Sequence, residues 1–455
     1  MSISNFYSLV VIGAGAGGLV VAIGFAKAGK KVLLIENGNY GGDCTNFGCI
    51  PSKTLIGLAK HQKKDLSFVR QIVHEVRAHE EPVSLNKLGV ETLTAQASFL
   101  EPHVILAKEK SGKTVQVQAK KIVIATGSSP QIPPIPGLND TPFLTNESIF
   151  NLEQIPKSLI VLGGGPIGSE LAQAFQRLGT SVHLIHSHSG ILARESKEAS
   201  DILIERFRKE GMVLHLNSKV ERVEYKSASF KVVLSGKTVE AERLLVATGR
   251  KPHINELQLE KAGVAFTDKG VIVDAFGRTS QKHIFAIGDA TGPPFFTHLA
   301  ESRGRTVLTT LLLSPFFKKK IDRQAIPRVT YTDPEIASIG LSEEEAFETY
   351  GQKKIAVYLV PMSEVDRAIT QGRTEGFVKI VTKRWSSHIL GATIICPRAG
   401  EMLSEISLAM FAKIPLRKLA GLIHPYPTYS LAIRRAADKW LSQTILSFIR
   451  TLWKK

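Results

Sequence analysis

The stretch Gly13-Ala14-Gly15-Ala16-Gly17-Gly18 decides the fold of the first part of the chain. It follows an apolar run at residues 7–12 and opens a second apolar segment that ends near residue 28. Gly13 allows a tight turn, Gly15 lets the backbone approach a pyrophosphate, and Gly18 lets helix and strand pack closely. Glu36 stands about 20 residues further on, where a carboxylate accepts hydrogen bonds from ribose hydroxyls. The pattern predicts a strand, a dinucleotide-binding turn and a helix.

The same glycine spacing recurs at Gly163, Gly165 and Gly168. An apolar run at 158–162 precedes these glycines, and a helical pattern at 169–178 follows them. Repetition of one supersecondary unit indicates duplicated architecture. The sequence therefore predicts an α/β fold with two tandem Rossmann-like dinucleotide-binding domains.

Two apolar segments end in the same pair of residues, Thr126-Gly127 and Thr248-Gly249. In open parallel sheets, ligands bind outside the carboxyl ends of the strands. Thr126 and Gly127 are therefore assigned to the first nucleotide site, and Gly249 to the second.

The pattern changes after residue 326 to alternating strands and later helices, which predicts a C-terminal α+β interface and dimerisation domain. The predicted division is as follows: 1–150 and 276–325 form the first nucleotide-binding domain, 151–275 the second, 326–440 the dimerisation domain, and 441–455 an amphipathic basic tail.

The composition excludes several classes of protein. With 455 residues and three cysteines, the chain is no disulfide-stapled secreted scaffold. The net charge of +17 comes from scattered basic residues without interleaved aromatics, so nucleic acid is not a predicted partner. A positive field suits anionic cofactors or an anionic membrane surface.

Residues 1–8 lack a basic signal region, and the uncharged run at 9–26 contains the glycine turn. A cytoplasmic location is expected, with membrane association as an alternative.

Cys44 and Cys49 lie five positions apart in the glycine-rich segment 41–53. No further Cys/His pair completes a zinc tetrahedron, and no metal site is predicted. Both cysteines fall at the predicted start of a helix, where the helix dipole and free N–H groups favour a thiolate.

This segment resembles the redox-active disulfide signature of the class I pyridine nucleotide-disulfide oxidoreductases. The family includes lipoamide dehydrogenase, glutathione reductase and mercuric reductase, and the resemblance covers nearly the whole chain. It implies that the first turn binds FAD and the second NAD(P)H. It also implies that Gly288-Asp289 is a second FAD motif, whose carboxylate binds near the ribityl or phosphate groups, and that the chain forms a homodimer. A helix N-cap is the alternative role for Asp289.

The resemblance further implies a route for electrons. Cys49 lies against the flavin and Cys44 faces the substrate, so reduced flavin opens a Cys44–Cys49 disulfide through Cys49. Lys53 lies one helical turn beyond Cys49. In the family this lysine pairs with a glutamate that corresponds to Glu170, and the cation stabilises negative charge on the flavin. An ordinary surface lysine is the alternative.

The last family motif is altered in this chain. Disulfide-reducing members carry His-Pro-Thr-x-x-Glu, with the histidine supplied across a dimer interface as a base. Here Pro427-Thr428 set the register, so Tyr426 replaces the histidine and Leu431 replaces the glutamate. A phenol is a poor base at neutral pH. His424, which in an extended loop points to the same side as Tyr426, is the candidate replacement, and a structural histidine beside the prolines is the alternative.

Mercuric reductases also carry a tyrosine at this position, and residues 331–335 resemble their interface domain. Those enzymes add a C-terminal pair of cysteines. This chain ends without cysteine, and Cys396 is isolated. A true mercuric reductase is therefore kept only as an alternative, and so is a dihydrolipoamide dehydrogenase, because the His/Glu pair is missing.

The end of the strand after the second glycine turn lacks a carboxylate and reads His186-Ser187-His188. These residues, with Arg194 nearby, could donate hydrogen bonds to a 2′-phosphate. NADPH is therefore predicted as the reductant, with NADH and a merely solvated loop as the alternatives.

The sequence thus predicts an FAD-dependent NAD(P)H oxidoreductase that passes electrons through Cys44 and Cys49 to an unidentified small-molecule or protein acceptor. One rival is an NAD(P)H:quinone reductase that uses the flavin directly. Another is a non-catalytic, flavin-bound redox-sensing protein that contacts a membrane through its tail. Packing of the tail on the protein's own surface or at the dimer interface is favoured over membrane contact.

Overall fold

The computed structural model describes residues 6–313, 325–446 and 449. The chain forms two compact units. The first comprises Met1–Gly163, Leu178–Thr180 and Val220–Asp322. The second comprises Gly164–Arg177, Ser181–Lys219 and Arg323–Lys455. The five-part division inferred from the sequence differs from these two units and stays a prediction.

The first unit is built on a five-stranded parallel sheet. Its strands are, in spatial order, Ile284–Ala286, Ile122–Ile124, Leu9–Ile12, Val32–Glu36 and Glu91–Thr94. Its helices are Ala16–Lys27, Gly42–Asn46, Cys49–Lys60, Leu66–Arg77, Pro82–Lys87 and Thr297–Leu313.

Both faces of this sheet are buried. Along Leu9–Ile12, Val10 and Ile12 belong to one apolar cluster, whereas Leu9 and Val11 belong to another. Parallel strands buried on both sides are expected to be continuously apolar. This explains why the sequence shows an unbroken apolar run before the first glycine turn.

Smaller sheets complete the first unit. One contains Phe6–Tyr7, Thr114–Ala119, Val104–Lys108 and Gln96–Glu101, and another Val220–Lys226, Ser229–Leu234 and Lys237–Ala241. Three pairs are Ser158–Leu162 with Arg243–Val246, Ser128–Pro130 with Arg250–Pro252, and Phe266–Thr267 with Gly270–Val271. Short 3-10 turns occur at Leu138–Asp140, Ile149–Asn151, Asn255–Leu257, Leu259–Ala262 and Gly288–Thr291.

The second unit contains a nucleotide-binding half and an antiparallel sheet. The first part has helices Pro166–Arg177 and Lys197–Lys209, and parallel strands Ser181–Ile185 and Val213–His215. The sheet has the order Arg328–Thr330, Glu335–Gly340, Ile389–Cys396, Phe377–Lys383 and Ile355–Pro361. The remaining helices are Glu343–Tyr350, Asp366–Thr370, Ala399–Phe411, Leu416–Leu419 and Leu431–Trp440, with 3-10 turns Gln352–Lys354 and Met362–Glu364.

Two local expectations need correction. The single strand predicted at 7–12 is split, because Tyr7 pairs with Ala119 in one sheet whereas Leu9 pairs with Val32 in another. The helix predicted to start at residue 169 begins at Pro166. Proline suits the first helical turn, because its missing N–H would have no partner there.

The described start of the predicted tail is a π-helical turn, Leu441–Leu446. The Thr444 hydroxyl lies 2.7 Å from the Tyr358 hydroxyl, and Trp440 Nε1 donates to Arg384 O at 2.9 Å. These contacts favour packing of this turn on its own domain. Apart from residue 449, the rest of the tail lies outside the described residues. Among the described helices, none combines the length and the apolar character that crossing a membrane requires.

Candidate active site

The first glycine turn forms an open backbone cradle. Gly13 has φ +105°, and a side chain there would place its Cβ 2.3 Å from Ala125 O. At Gly15 a Cβ would meet no atom closer than 3.8 Å. Glu36 Oε2 accepts from Ala14 N, and its Oε1 accepts from Gly38 N, both at 2.8 Å. The carboxylate predicted to bind ribose therefore lies directly at the glycine turn.

Two further predicted residues lie at the carboxyl ends of strands in the same unit. Thr126 Oγ1 is buried and has no hydrogen-bond partner among the described residues. Asp289 Oδ2 accepts from Ser128 Oγ at 2.6 Å, and burial raises the pKa of Asp289. A buried hydroxyl without a partner at a strand end is the kind of group that a bound ligand satisfies. Thr126 therefore fits a role in holding a cofactor at this edge.

The two cysteines begin or occupy separate short helical segments. Cys44 lies within Gly42–Asn46, and Cys49 is the first residue of Cys49–Lys60. Both are thiols here, and their side chains share a hydrogen bond. That hydrogen bond, followed by burial, raises the pKa of Cys44. The raised pKa means that Cys44 keeps its proton at neutral pH.

Cys49 lies close to two helix N-termini. One belongs to its own helix, and the other belongs to Thr297–Leu313, whose first residue carries a hydroxyl 3.5 Å from Cys49 Sγ. Helix N-termini and hydroxyl donors both stabilise a thiolate. Thr297 is the residue of this site that sequence reasoning missed, because 248 positions separate it from Cys49 and no local pattern marks it.

Thr297→Val is expected to lower the fraction of Cys49 thiolate at neutral pH about tenfold. The substitution keeps the side-chain shape but removes a hydrogen bond to a charged group, worth about 1.5 kcal/mol. The measurement is the pH dependence of Cys49 alkylation in the dithiol enzyme. Thr309→Val, on an exposed face of the same helix, is the matched control, and an unchanged profile in Thr297→Val would contradict the assignment.

Lys53 and Glu170 have distinct surroundings. Lys53 Nζ lies 3.4 Å from Ser52 Oγ in the first unit. Glu170 is buried on Pro166–Arg177, and its Oε1 accepts from Tyr331 N at 2.8 Å. The two residues belong to different units. Their pairing stays a prediction.

The second glycine turn repeats the hydrogen bond of the first with a different side chain. Gly164 N donates to His186 Nδ1 at 3.2 Å, as Ala14 N donates to Glu36. Burial, followed by the neighbouring His188, lowers the pKa of His186, which is therefore neutral at pH 7. Since Nδ1 accepts, the proton is on Nε2, and Nε2 is buried without a partner among the described residues.

The other residues predicted for this site are spread along the turn and the loops beside it. A Cβ at Gly165 would meet nothing within 4 Å, which leaves room for a pyrophosphate. Gly168 is buried in the helix that follows. Ser187 Oγ lies 3.0 Å from His188 Nδ1 in an exposed loop. In the first unit, Gly249 O accepts from Gln131 N at 2.9 Å.

The C-terminal loop corrects one expectation. Tyr426 is 71% exposed, whereas His424 is buried, so they do not face the same surroundings. His424 Nε2 lies 3.1 Å from Glu405 Oε1, and its Nδ1 lies 3.2 Å from Leu422 O. These two contacts hold the ring inside the domain. Because the ring is buried and each nitrogen lies within 3.2 Å of an oxygen of the same domain, the geometry favours the structural alternative.

In the described ranges, no group of three or more His, Cys, Asp or Glu side chains is arranged to hold a metal ion. Cys396 is buried, and burial raises the pKa of its thiol to about 12. Cys44 and Cys49 are thus the reactive sulfurs of the site.

The paired glycine turns and the neighbouring cysteines define a flavin-dependent dithiol reductase. The chain belongs to the pyridine nucleotide-disulfide oxidoreductase family. The family model described as "Pyridine nucleotide-disulphide oxidoreductase" matches residues 7–304. The model of the dimerisation domain of that family matches residues 326–437.

Three relatives illustrate the range of the family. The mercuric reductase of Staphylococcus aureus is 32% identical over 95% of this chain and 82% of its own length. The dihydrolipoyl dehydrogenase of Geobacillus stearothermophilus is 34% identical over 96% of each chain. The structure of the HOCl-induced flavoprotein disulfide reductase RclA from Escherichia coli has 30% identity and a TM-score of 0.88, and covers 94% of this chain and 99% of its own.

These matches confirm the predicted family, fold class, enzyme class and cofactors. The protein is an oxidoreductase that uses FAD and NAD(P)H, with a redox-active cysteine pair. The residues present fit these cofactors, because Thr126 and His186 each direct a buried polar atom without a partner among the described residues. The electron acceptor is not identified by the family.

Proposed function

We propose that this enzyme reduces a thiophilic metal ion, copper(II) in the first instance, at the Cys44–Cys49 pair. The observation that carries the proposal is that, among the described residues, the predicted base His424 is buried and does not share the exposed position of Tyr426. Reduction of a small disulfide requires a group that accepts a thiol proton, whereas His424 is held inside its domain by contacts with Glu405 and Leu422 O. A metal ion needs only sulfur ligands, and soft thiolates are the ligands that copper prefers.

The relatives support this choice of acceptor class. Several are mercuric reductases, and one similar structure is a Cu(II) complex of RclA from Escherichia coli, which is 30% identical to this chain. Bound FAD would supply hydride chemistry, by which two electrons from NAD(P)H reach the sulfur pair. Two copper(II) ions then take one electron each, and the two thiols become a disulfide and release two protons.

The proposal gives the predicted residues the following roles. Gly13, Gly15, Gly18 and Glu36 hold the FAD pyrophosphate and ribose, and Asp289 belongs to the stretch that resembles the family's second FAD motif. By the same resemblance, Lys53 supplies a cation beside the flavin. Gly163, Gly165 and Gly168 hold the NAD(P)H pyrophosphate.

The test is an anaerobic assay with NADPH, the purified holoenzyme and a Cu(I)-specific chelator. Copper(II) is expected to be reduced at least tenfold faster than glutathione disulfide or cystine at equal concentration. Faster reduction of a disulfide would overturn the metal proposal while leaving the enzyme class intact.

We further propose that the enzyme is a homodimer. Its dimerisation domain exposes large apolar side chains, among them Phe411 at 83% and Ile423 at 93%. Surfaces of this kind mark protein interfaces. Sedimentation at micromolar concentration is expected to give twice the 49.7 kDa mass of the chain, and a single-chain mass would contradict the proposal.

A further inference from the structure

Arg250 ties together three parts of the first unit. Its side chain is only 11% exposed and follows the strand end Thr248-Gly249. Nε donates to Ser128 Oγ and Nη2 to Ser128 O, both at 2.8 Å. Nη2 also lies 3.3 Å from Asp43 Oδ1. Ser128 Oγ in turn donates to Asp289, so Arg250 links the residue before Cys44 to the second FAD motif.

Asn146 extends the same contacts to the other end of the Cys44 helix. Its Nδ2 donates to Asp43 Oδ1 at 3.3 Å and to Phe47 O at 3.2 Å. Arg250 Nη1 lies 3.5 Å from Asn146 Oδ1. The short helix Gly42–Asn46 is therefore held at its second residue, Asp43, and at Phe47, immediately after its end.

We propose that Arg250 is a positioning residue for Cys44. Its guanidinium fixes Asp43, and through Asp43 and Asn146 it fixes the helix that carries Cys44, whose thiol shares a hydrogen bond with Cys49. A disulfide forms only within a narrow range of Cα and Cβ separations. A five-residue helix makes few contacts of its own, so its anchors set how readily the two sulfurs meet. This inference needs the redox-active cysteine pair but not the identity of the acceptor.

Removal of the Arg250 side chain shifts the equilibrium between dithiol and disulfide in opposite directions for a positioning role and for a direct charge effect. If Arg250 acted as a charge on the sulfurs, its removal would destabilise the thiolate form and favour the disulfide. If Arg250 holds Cys44 in place, its removal lowers the effective concentration of one sulfur for the other and disfavours the disulfide. Lysine at this position keeps the charge but cannot reproduce the fork that contacts Ser128 and Asp43 together.

The experiment equilibrates the FAD-bound enzyme with mixtures of reduced and oxidised dithiothreitol. In each exchange, the two thiols of dithiothreitol close to a cyclic disulfide and give two electrons and two protons to the Cys44–Cys49 disulfide. Acid quenching, alkylation and mass spectrometry then measure the oxidised fraction of the peptide with both cysteines. No NAD(P)H and no natural acceptor take part, so failure of the metal proposal leaves this test unaffected.

Arg250→Met and Arg250→Lys are both expected to lower the equilibrium constant for disulfide formation about fivefold to tenfold. Asp43→Asn is expected to lower this equilibrium constant by a similar factor. The double variant Arg250→Met/Asp43→Asn is expected to have the same constant as the single variants, because each of them breaks the contact between Arg250 and Asp43. Arg222→Met, which removes an exposed ion pair with Glu224, is the matched control and should not differ from the wild type.

Two results would overturn the inference. One is an unchanged equilibrium constant in Arg250→Lys, together with a shift of Arg250→Met towards the disulfide, which would assign Arg250 a charge effect. The other is an equilibrium constant within twofold of the wild type in every variant. If Arg250→Met does not retain FAD, Arg250→Lys and Asp43→Asn decide, since both leave a polar partner for Ser128 and Asn146.

Discussion

Cys44→Ser is expected to reduce the rate of NADPH-dependent copper(II) reduction about a thousandfold or more. The substitution leaves one sulfur, which can neither close a disulfide nor hold a metal ion between two thiolates. Residues that act as a unit lose nearly all of their joint effect when one is removed. Binding of NADPH should be unchanged, because the glycine turn of the second nucleotide site is built from other residues. Steady-state rates of Cu(I) formation give the measurement.

Cys396→Ala is the matched control for this variant. Burial raises the pKa of the Cys396 thiol to about 12, and its Sγ lies 3.4 Å from Met402 Sδ inside the dimerisation domain. Removing this thiol should leave copper(II) reduction within twofold of the wild type, because it is neither a thiolate nor accessible. The pair of variants separates loss of the reactive sulfur from loss of any thiol.

Cys44→Ser also decides between the proposed route and a quinone reductase that uses the flavin directly. If Cys44→Ser keeps its turnover with copper(II), the dithiol is not in the path to the metal. If it loses copper(II) reduction but also reduces a soluble quinone as fast as the wild type, the flavin has a second, direct outlet. A protein that accepts electrons from NADPH but shows no turnover with any acceptor would support the redox-sensing alternative.

The local parts of this site were predictable from the sequence. The motif of the first nucleotide site consists of an apolar run, glycines at fixed spacing and an acid about 20 residues later. The whole motif is local in sequence, and Glu36 lies at the Gly13 turn, where the motif predicts it. The sequence placed both cysteines at the start of one helix, and Cys49 does begin Cys49–Lys60, whereas Cys44 lies in the separate helix Gly42–Asn46. Each of these features depends on neighbours along the chain, and a single sequence contains that information.

The contacts between distant segments were not predictable. Thr297 reaches Cys49 across 248 positions, and Arg250 reaches Asp43 from another strand end. Thr297 belongs to no recognisable local pattern, and the strand end Thr248-Gly249-Arg250 gives no local sign of the contact between Arg250 and Asp43. The prediction for the His424 loop was wrong for a related reason. Alternation along an extended segment predicted that the side chains of His424 and Tyr426 point to the same side. The hydrogen bonds to Glu405 and Leu422 O determine the actual direction of the His424 ring.

His186→Glu is expected to change the nucleotide preference from NADPH to NADH. In the wild type, Nδ1 of this ring accepts from Gly164 N, so Nε2–H is a buried donor that requires an acceptor. A 2′-phosphate offers only acceptors, and a hydrogen bond to a charged group is worth about 1.5–3 kcal/mol, or roughly 10- to 100-fold in affinity. A carboxylate at this position would instead accept from ribose hydroxyls, as predicted for Glu36, and would repel the phosphate.

The measurement uses nucleotide fragments, so it does not depend on turnover. Calorimetry on the purified holoenzyme should show adenosine 2′,5′-bisphosphate binding roughly 10- to 100-fold more tightly than 5′-AMP. In His186→Glu the order should reverse. His61→Glu, at the exposed end of the helix Cys49–Lys60 in the first unit, controls for the added negative charge.

Two outcomes would contradict this account in different ways. Equal affinity of the wild type for both fragments would mean that the Nε2 donor does not meet the 2′-phosphate, and NADH would become the expected reductant. A phosphate preference that survives in His186→Glu would assign the contact to other donors. Arg194 is the first of these, because it is exposed on the loop whose Leu192 N donates to Gly164 O at 2.8 Å. In that case Arg194→Ala should abolish the preference, since a guanidinium binds phosphate with two parallel hydrogen bonds.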